Sequence, residues 1–133
     1  MNDISITTDI TRIDVDAALA LLRATYWAQT MPRDTLARAI EHSLCFGVLH
    51  GETLVGLARV ITDRATFAYL TDVVIASSMR GQGLSRRLMT EIVSHPDLQG
   101  LRRFALVTGD ATKLYEDFGF TAGSGTLNYM EKR

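Results

Sequence analysis

Arg80-Gly81-Gln82-Gly83-Leu84-Ser85 follows the strand-like run Tyr69 to Ile75 and opens the amphipathic segment Leu84 to Ser94. A strand, a tight Gly turn and a helix start, in that order, build an anion site. The glycines let backbone approach a guest with no Cβ in the way, and the unpaired N–H groups of a first helical turn point toward negative charge. The guest this predicts is a pyrophosphate. Spacing supports the helix: Leu84, Leu88 and Ile92, flanked by Met89 and Val93, form one apolar stripe, while Arg86, Arg87, Thr90, Glu91 and Ser94 face away. Pro96 ends it, because a residue before proline is pushed out of the α region.

The kind of phosphate ligand narrows by elimination. A P-loop has four residues between its glycines and a following Lys-Ser/Thr; here one residue separates Gly81 from Gly83 and no lysine follows. The dinucleotide fingerprint wants a small residue where this chain has Arg86. The stretch instead resembles the coenzyme A signature of the GNAT superfamily of acetyl-CoA-dependent N-acyltransferases, with Arg80, Gly83 and Ser85 in the slots Gln/Arg, Gly and Gly/Ala. Ser85 departs from the pattern by a hydroxyl that can itself bond a phosphate oxygen. A second feature of the superfamily, Leu114-Tyr115-Glu116-Asp117-Phe118-Gly119-Phe120, stands downstream where that family carries it. The resemblance runs from about Cys45 to Phe120 and fades toward the N-terminus.

What the resemblance implies is a fold, a cosubstrate and a set of roles. The fold is a three-layer α/β sandwich around a mixed, largely antiparallel sheet of six to seven strands flanked by about four helices. The cosubstrate is acetyl-CoA, with no metal. Backbone groups of Val73, Val74 and Ile75 would hold the pantetheine arm as an added strand holds its neighbour, one N–H aimed at the thioester oxygen. Arg80, Gly81, Gln82, Gly83, Leu84, Ser85 and Arg86 would take the pyrophosphate, and Thr108 would touch the cofactor from the next strand. Tyr115 matches the family's tyrosine before Gly-Phe and is the candidate general acid for the departing thiolate. A tyrosine that covers core and bonds water is the alternative there.

Asp72 is the candidate base. It alternates with Leu70 and Val74, so it lies on an apolar face or marks a bulge that turns it to the cleft. A structural ion pair with Arg59 or Arg103 is the competing reading. Tyr69 sits near the register where some family members carry a catalytic glutamate, and no glutamate stands there. The acceptor pocket is expected from Tyr26, Trp27 and Tyr69, with Trp27 either lining it or acting as a lid on the core. An aromatic wall would favour a cation or an aromatic amine.

The 133 residues, 47% of them apolar, suit one domain with one core, read here as residues 1–133. A formal net charge of −1 gives no electrostatic case for nucleic acid or an anionic membrane. No apolar run approaches the roughly 20 residues that span a bilayer, so a cytoplasmic location is the default expectation. The single Cys45 lies in a strand pattern and reads as a core thiol; a covalent acetyl intermediate on it lacks any neighbouring base. His42, His50 and His95 lack metal-ligand spacing. Arg102 and Arg103 read as solvated or paired, with the adenosine 3′-phosphate as a second option.

The remaining elements follow from turn and cap signals. They are strand Ile4 to Thr8, a helix capped by Asp14 or Asp16, a helix after Pro32, strands Cys45 to His50 and Thr53 to Thr62, and strand Phe67 to Ile75. After the long helix come strand Arg103 to Thr108, a short helix capped by Asp110, and a last strand Leu127 to Glu131. The function expected is N-acetylation of a small amine, or of a peptide amine, by direct attack in a ternary complex. A non-catalytic acetyl-CoA-binding module is the alternative; the sequence does not set the oligomeric state, and a homodimer through sheet edges or helices, as many such small domains form, is one option.

Overall fold

The computed structural model describes residues 3–123 and 125–133. Strand β1 is Ile4–Thr7, helix α1 Val15–Arg23, helix α2 Arg33–Glu41, and strands β2, β3 and β4 are Leu44–His50, Thr53–Thr62 and Phe67–Ile75. Helix α3 is Leu84–Ser94, strand β5 Arg103–Leu106 and helix α4 Thr112–Glu116. The sheet order is β1-β2-β3-β4-β5, antiparallel between neighbours from β1 to β4 and parallel between β4 and β5.

Local chemistry sets the ends of these elements. Asp14 accepts from the Ala17 N–H at 2.9 Å and caps α1. Pro32 stands just outside α2 in extended conformation, where its missing donor costs nothing. His95 is extended ahead of Pro96 and closes α3. Asp63 accepts from the N–H groups of Ala65, Thr66 and Phe67 and from the Thr66 hydroxyl, which fastens the turn between β3 and β4.

Two apolar layers clasp the sheet. On one face Phe46, Val48, Val60 and Leu70 pack with Leu88, Met89 and Ile92 of α3 and with Tyr115 of α4. On the other, Cys45, Leu49, Leu57 and Val74 pack with Leu19, Leu22, Leu36 and Ile40 of α1 and α2. Gly56 allows the central strands to close up, since a Cβ there would lie 2.8 Å from Ile75 and 2.9 Å from Val48.

A β-bulge inverts β4 halfway along. The β3–β4 register steps from Leu57↔Val74 to Arg59↔Thr71, so Asp72 and Val73 together oppose Ala58. Asp72 takes the left-handed φ of 54°. Ala68 and Leu70 therefore face α3, whereas Val74 faces α1 and α2. Leu70, Asp72 and Val74 do not share one apolar face, as plain alternation would have it.

The sheet has five strands, fewer than the six to seven expected. Leu127–Glu131 forms no strand, and Leu127, Tyr129 and Met130 are 75%, 77% and 87% exposed. Glycines at 119, 123 and 125 precede it, and glycine backbone is the costliest to order. A short alternating run with no ladder partner does not offset that cost. β5 also stops at Leu106, short of the expected Thr108.

Candidate active site

β4 and β5 pair only from Phe67↔Arg103 to Leu70↔Leu106. Beyond that point β4 runs on to Ile75, while the chain after Leu106 leaves the sheet for α4. The backbone from Thr71 to Ile75 thus has no ladder partner on its β5 side. Three adjoining cavities fill this opening.

The first, about 240 Å³, lies at the Gly turn and is lined by Ile75, Arg80, Gly81, Gly83, Leu84 and Arg86, among others. Gly81 and Gly83 have φ of +79° and +76°, and a Cβ built on either would meet nothing within 4 Å. The backbone, not crowding, calls for glycine there. No side chain caps α3 at Gly83, which leaves first-turn N–H groups turned outward. Arg80 Nε donates to the Ile75 carbonyl at 3.2 Å and ties the turn to the end of β4. Arg86 Nη2 donates to Asp117 Oδ2 at 2.8 Å and links α3 to the end of α4. Gln82 lines none of the three cavities.

The second cavity, about 490 Å³, shares Ile75, Arg80 and Ser85 with the first and adds Val73, Val74, Trp27 and Asp110. The third, about 330 Å³, lies deeper along β4 and takes in Tyr26, Trp27, Tyr69, Asp72, Thr108 and Tyr115. Tyr26 and Trp27 meet edge to face with ring centroids 5.1 Å apart. Trp27 is 50% exposed, so it lines the cavity and is not a lid on the core. The Thr108 hydroxyl accepts from the Ala111 N–H at 3.0 Å and supports the start of α4.

Tyr115 is buried in the α3-side core, its ring 6.2 Å from that of Phe120, and lines the third cavity. Burial first, and the charge of Asp110 second, raise its pKa above the ordinary tyrosine value. The phenol therefore keeps its proton at neutral pH, as a proton donor must. Its hydroxyl makes no hydrogen bond to another described residue.

Asp72 borders the same cavity, but its carboxylate is engaged. Arg59 Nε donates to Asp72 Oδ2 at 3.0 Å, and Arg59 Nη1 donates to Ser43 Oγ at 3.2 Å. The two side chains are 14% and 6% exposed, so this is a buried pair. Of the two partners sequence offered, Arg59 is the one observed. Cys45 is fully buried, its Sγ donates to the Ile40 carbonyl at 3.7 Å, and burial pushes its pKa up to about 11. Such a thiol is no nucleophile near neutral pH. Arg102 and Arg103 border a separate cavity with Thr66 and Phe67, at the far end of β4 from the Gly turn.

Two residues of this site escape the sequence patterns. Asp110 does not cap α4: the N-cap is Ala111, without a side-chain bond, and the Asp110 carboxylate borders the second and third cavities instead. Gly109 lets Tyr26 reach across, since a Cβ there would stand 3.0 Å from the Tyr26 hydroxyl. Their one sequence signal is position, in the connection that leaves a strand's carboxyl end.

A parallel pair that opens beside an uncapped Gly-turn helix, with Tyr115 at the opening, is an arrangement suited to a phosphate-bearing ligand and its acyl chemistry. The chain belongs to the acetyltransferase (GNAT) family, whose profile matches residues 15–120. The match takes in α1 and α2, beyond the stretch where the sequence resemblance faded. A crystal structure from Xanthomonas campestris pv. campestris, of a protein assigned to the GNAT family as an acetyltransferase, superposes with a TM-score of 0.93 at 44% identity, covering 98% of this chain and 92% of that one. A protein of Gibberella zeae assigned as an acetyltransferase, FG08082, is 35% identical over 136 residues, 85% of this chain and 76% of its own length. N-alpha-acetyltransferase 80 of Mus musculus is 30% identical over 89 residues, 60% of this chain and 28% of that protein.

The family generally uses acetyl-CoA, and the residues present suit it: left-handed glycines, outward N–H groups and Arg80 at one end, and an unpaired strand edge leading inward. Among the described residues no group of His, Cys, Asp or Glu is placed to hold a metal ion. Among them, too, no helix is long and apolar enough to cross a membrane.

Proposed function

We propose that the chain is an acetyl-CoA-dependent N-acetyltransferase that acts on the amine of a small molecule, or of a peptide, by direct attack with cosubstrate and acceptor bound together. The observation that carries this is the parting of β4 from β5, which joins the Gly turn to a cavity holding Tyr115. When bound, acetyl-CoA supplies the acetyl thioester.

The first-turn N–H groups of α3, with Arg80 beside them, receive the pyrophosphate. The free edge of Val73, Val74 and Ile75 holds the pantetheine arm by main-chain hydrogen bonds, as an edge strand binds an added strand. An N–H of that edge donates to the carbonyl oxygen as it gains charge. Tyr26, Trp27 and Tyr69 enclose the acceptor, and Tyr115 gives its proton to the leaving sulfur. With Asp72 held by Arg59, the acceptor's proton leaves through solvent.

Thermal unfolding with and without acetyl-CoA tests the foundation, because a ligand bound only by the folded state raises Tm by mass action. The expected result is a clear upward shift that is absent in Gly83→Asp. Aspartate there repels phosphate and is also strained at the left-handed φ of +76°, so the variant's own unliganded Tm is the reference for its shift. No shift in the wild type overturns the proposal. A shift without thiol release across an amine panel makes the chain an acetyl-CoA-binding module instead.

A further inference from the structure

The opening between β4 and β5 is electrically polarised. At the Gly turn its charged lining is Arg80 and Arg86. In the deepest cavity the charged lining is Asp72 and Asp110, with no Lys or Arg among the lining residues. Arg59 neutralises Asp72 at 3.0 Å. Asp110 makes no hydrogen bond or ion pair with any described residue. Asp110 lines both the second and the third cavity, together with Tyr26 and Trp27; Arg80 shares the second cavity with it, while the third has no cation in its lining.

An uncompensated carboxylate beside two aromatic rings recognises a cation: the charge supplies a charge-assisted hydrogen bond, and the ring faces supply cation–π attraction. We propose that Asp110 is a specificity-determining residue, and that the acceptor it selects is an amine that enters as a protonated ammonium attached to an apolar or aromatic body. This rests on the reading above that the third cavity holds the acceptor. The rings of Tyr26, Trp27 and Tyr69 take the body, and Asp110 takes the charge. The balance of the reaction then favours turnover: an ammonium and a thioester give an amide, a thiol and one proton. The amide carries no charge, so the product forfeits the contact that drew the substrate in.

Trp27 is the only tryptophan and lines the second and third cavities, the two that Asp110 borders, so its fluorescence reports on a ligand there. The test titrates wild type and Asp110→Asn with 2-phenylethylammonium and with its neutral counterpart 2-phenylethanol. Wild type is expected to bind the ammonium at least about tenfold more tightly than the alcohol, as the loss of one charge-assisted hydrogen bond implies. In Asp110→Asn that preference disappears while binding of the alcohol stays the same. Equal affinities in wild type, retained preference in Asp110→Asn, or no response to the ammonium each overturn the proposal. Acetyl-CoA thermal shifts on both proteins separate the outcomes: a Tm shift in both with no ammonium preference sinks the role of Asp110 alone. An ammonium preference without any Tm shift sinks the acetyltransferase reading and leaves a cation site.

Discussion

Tyr115 holds its proton because two surroundings act in one direction. Burial in the α3-side layer disfavours the phenolate, and the Asp110 carboxylate adds to that. Tyr115→Phe removes the proton and leaves the ring packing in place. The expected effect is a fall in kcat of about 10²- to 10⁴-fold, the usual range for a positioned general acid, with acetyl-CoA still raising Tm. An unchanged kcat would reduce Tyr115 to a packing residue. Asp110→Asn has a second signature here, since removing the negative charge lowers the Tyr115 pKa. The alkaline limb of a kcat profile should move to lower pH, and an unmoved limb would show that the charge does not reach the phenol. Tyr115 and the Gly turn were legible in sequence because their motifs are local. Asp110 was not: its neighbours suggest a helix cap, and only the path of the loop shows that Ala111 takes that place.

At the scale of elements, the bulge in β4 depends on a pair that joins two strands. Asp72 takes a left-handed backbone that most side chains avoid, and Arg59 holds its carboxylate there. Arg59→Leu leaves a buried carboxylate without a partner and is expected to cost about 3–5 kcal/mol in chemical denaturation. Arg59→Leu combined with Asp72→Gly supplies the left-handed residue without the charge and should recover most of that loss. If the double variant is as unstable as the single one, the pair does more than hold the bulge. The turn before β4 gives a pH signature. Four donors lower the Asp63 pKa, so its contribution is fully present above the unfolded value near ~3.9. It is lost as pH falls toward the folded value. The Tm gap between wild type and Asp63→Ala should therefore be widest at neutral pH and narrow steadily below about pH 4. A gap independent of pH would show that the carboxylate's charge does not matter there. Strand and helix positions were readable because apolar periodicity and cap residues are local. A bulge at Asp72 was one of two readings open in sequence, and only the pairing with β3 decides between them, because register depends on that pairing. The last strand was over-read because alternation alone cannot supply a ladder partner.

Across the whole molecule, the two apolar layers grip the sheet everywhere except where β4 and β5 part. The unpaired backbone edge from Thr71 to Ile75 is thus placed between the layers, with the start of α3 and aromatic rings around it. An edge left open on an outer strand invites aggregation, whereas one enclosed between two packed layers is kept for a guest. The family and the Gly turn followed from sequence because backbone geometry fixes the turn and glycines mark that geometry. The cavity proposed for the acceptor draws its side chains from three separate segments, around Tyr26, Tyr69 and Asp110, and only the fold brings these together.

The sealed Cys45 has a practical side. Transfer of an acetyl group from coenzyme A frees a thiol, and the protein's single cysteine is fully buried with its pKa near 11. A disulfide reagent added to the native protein therefore meets no competing sulfur. Every equivalent of colour it develops counts one coenzyme released, so even very slow turnover on a poor acceptor can be scored without a labelled donor and without mutating the chain.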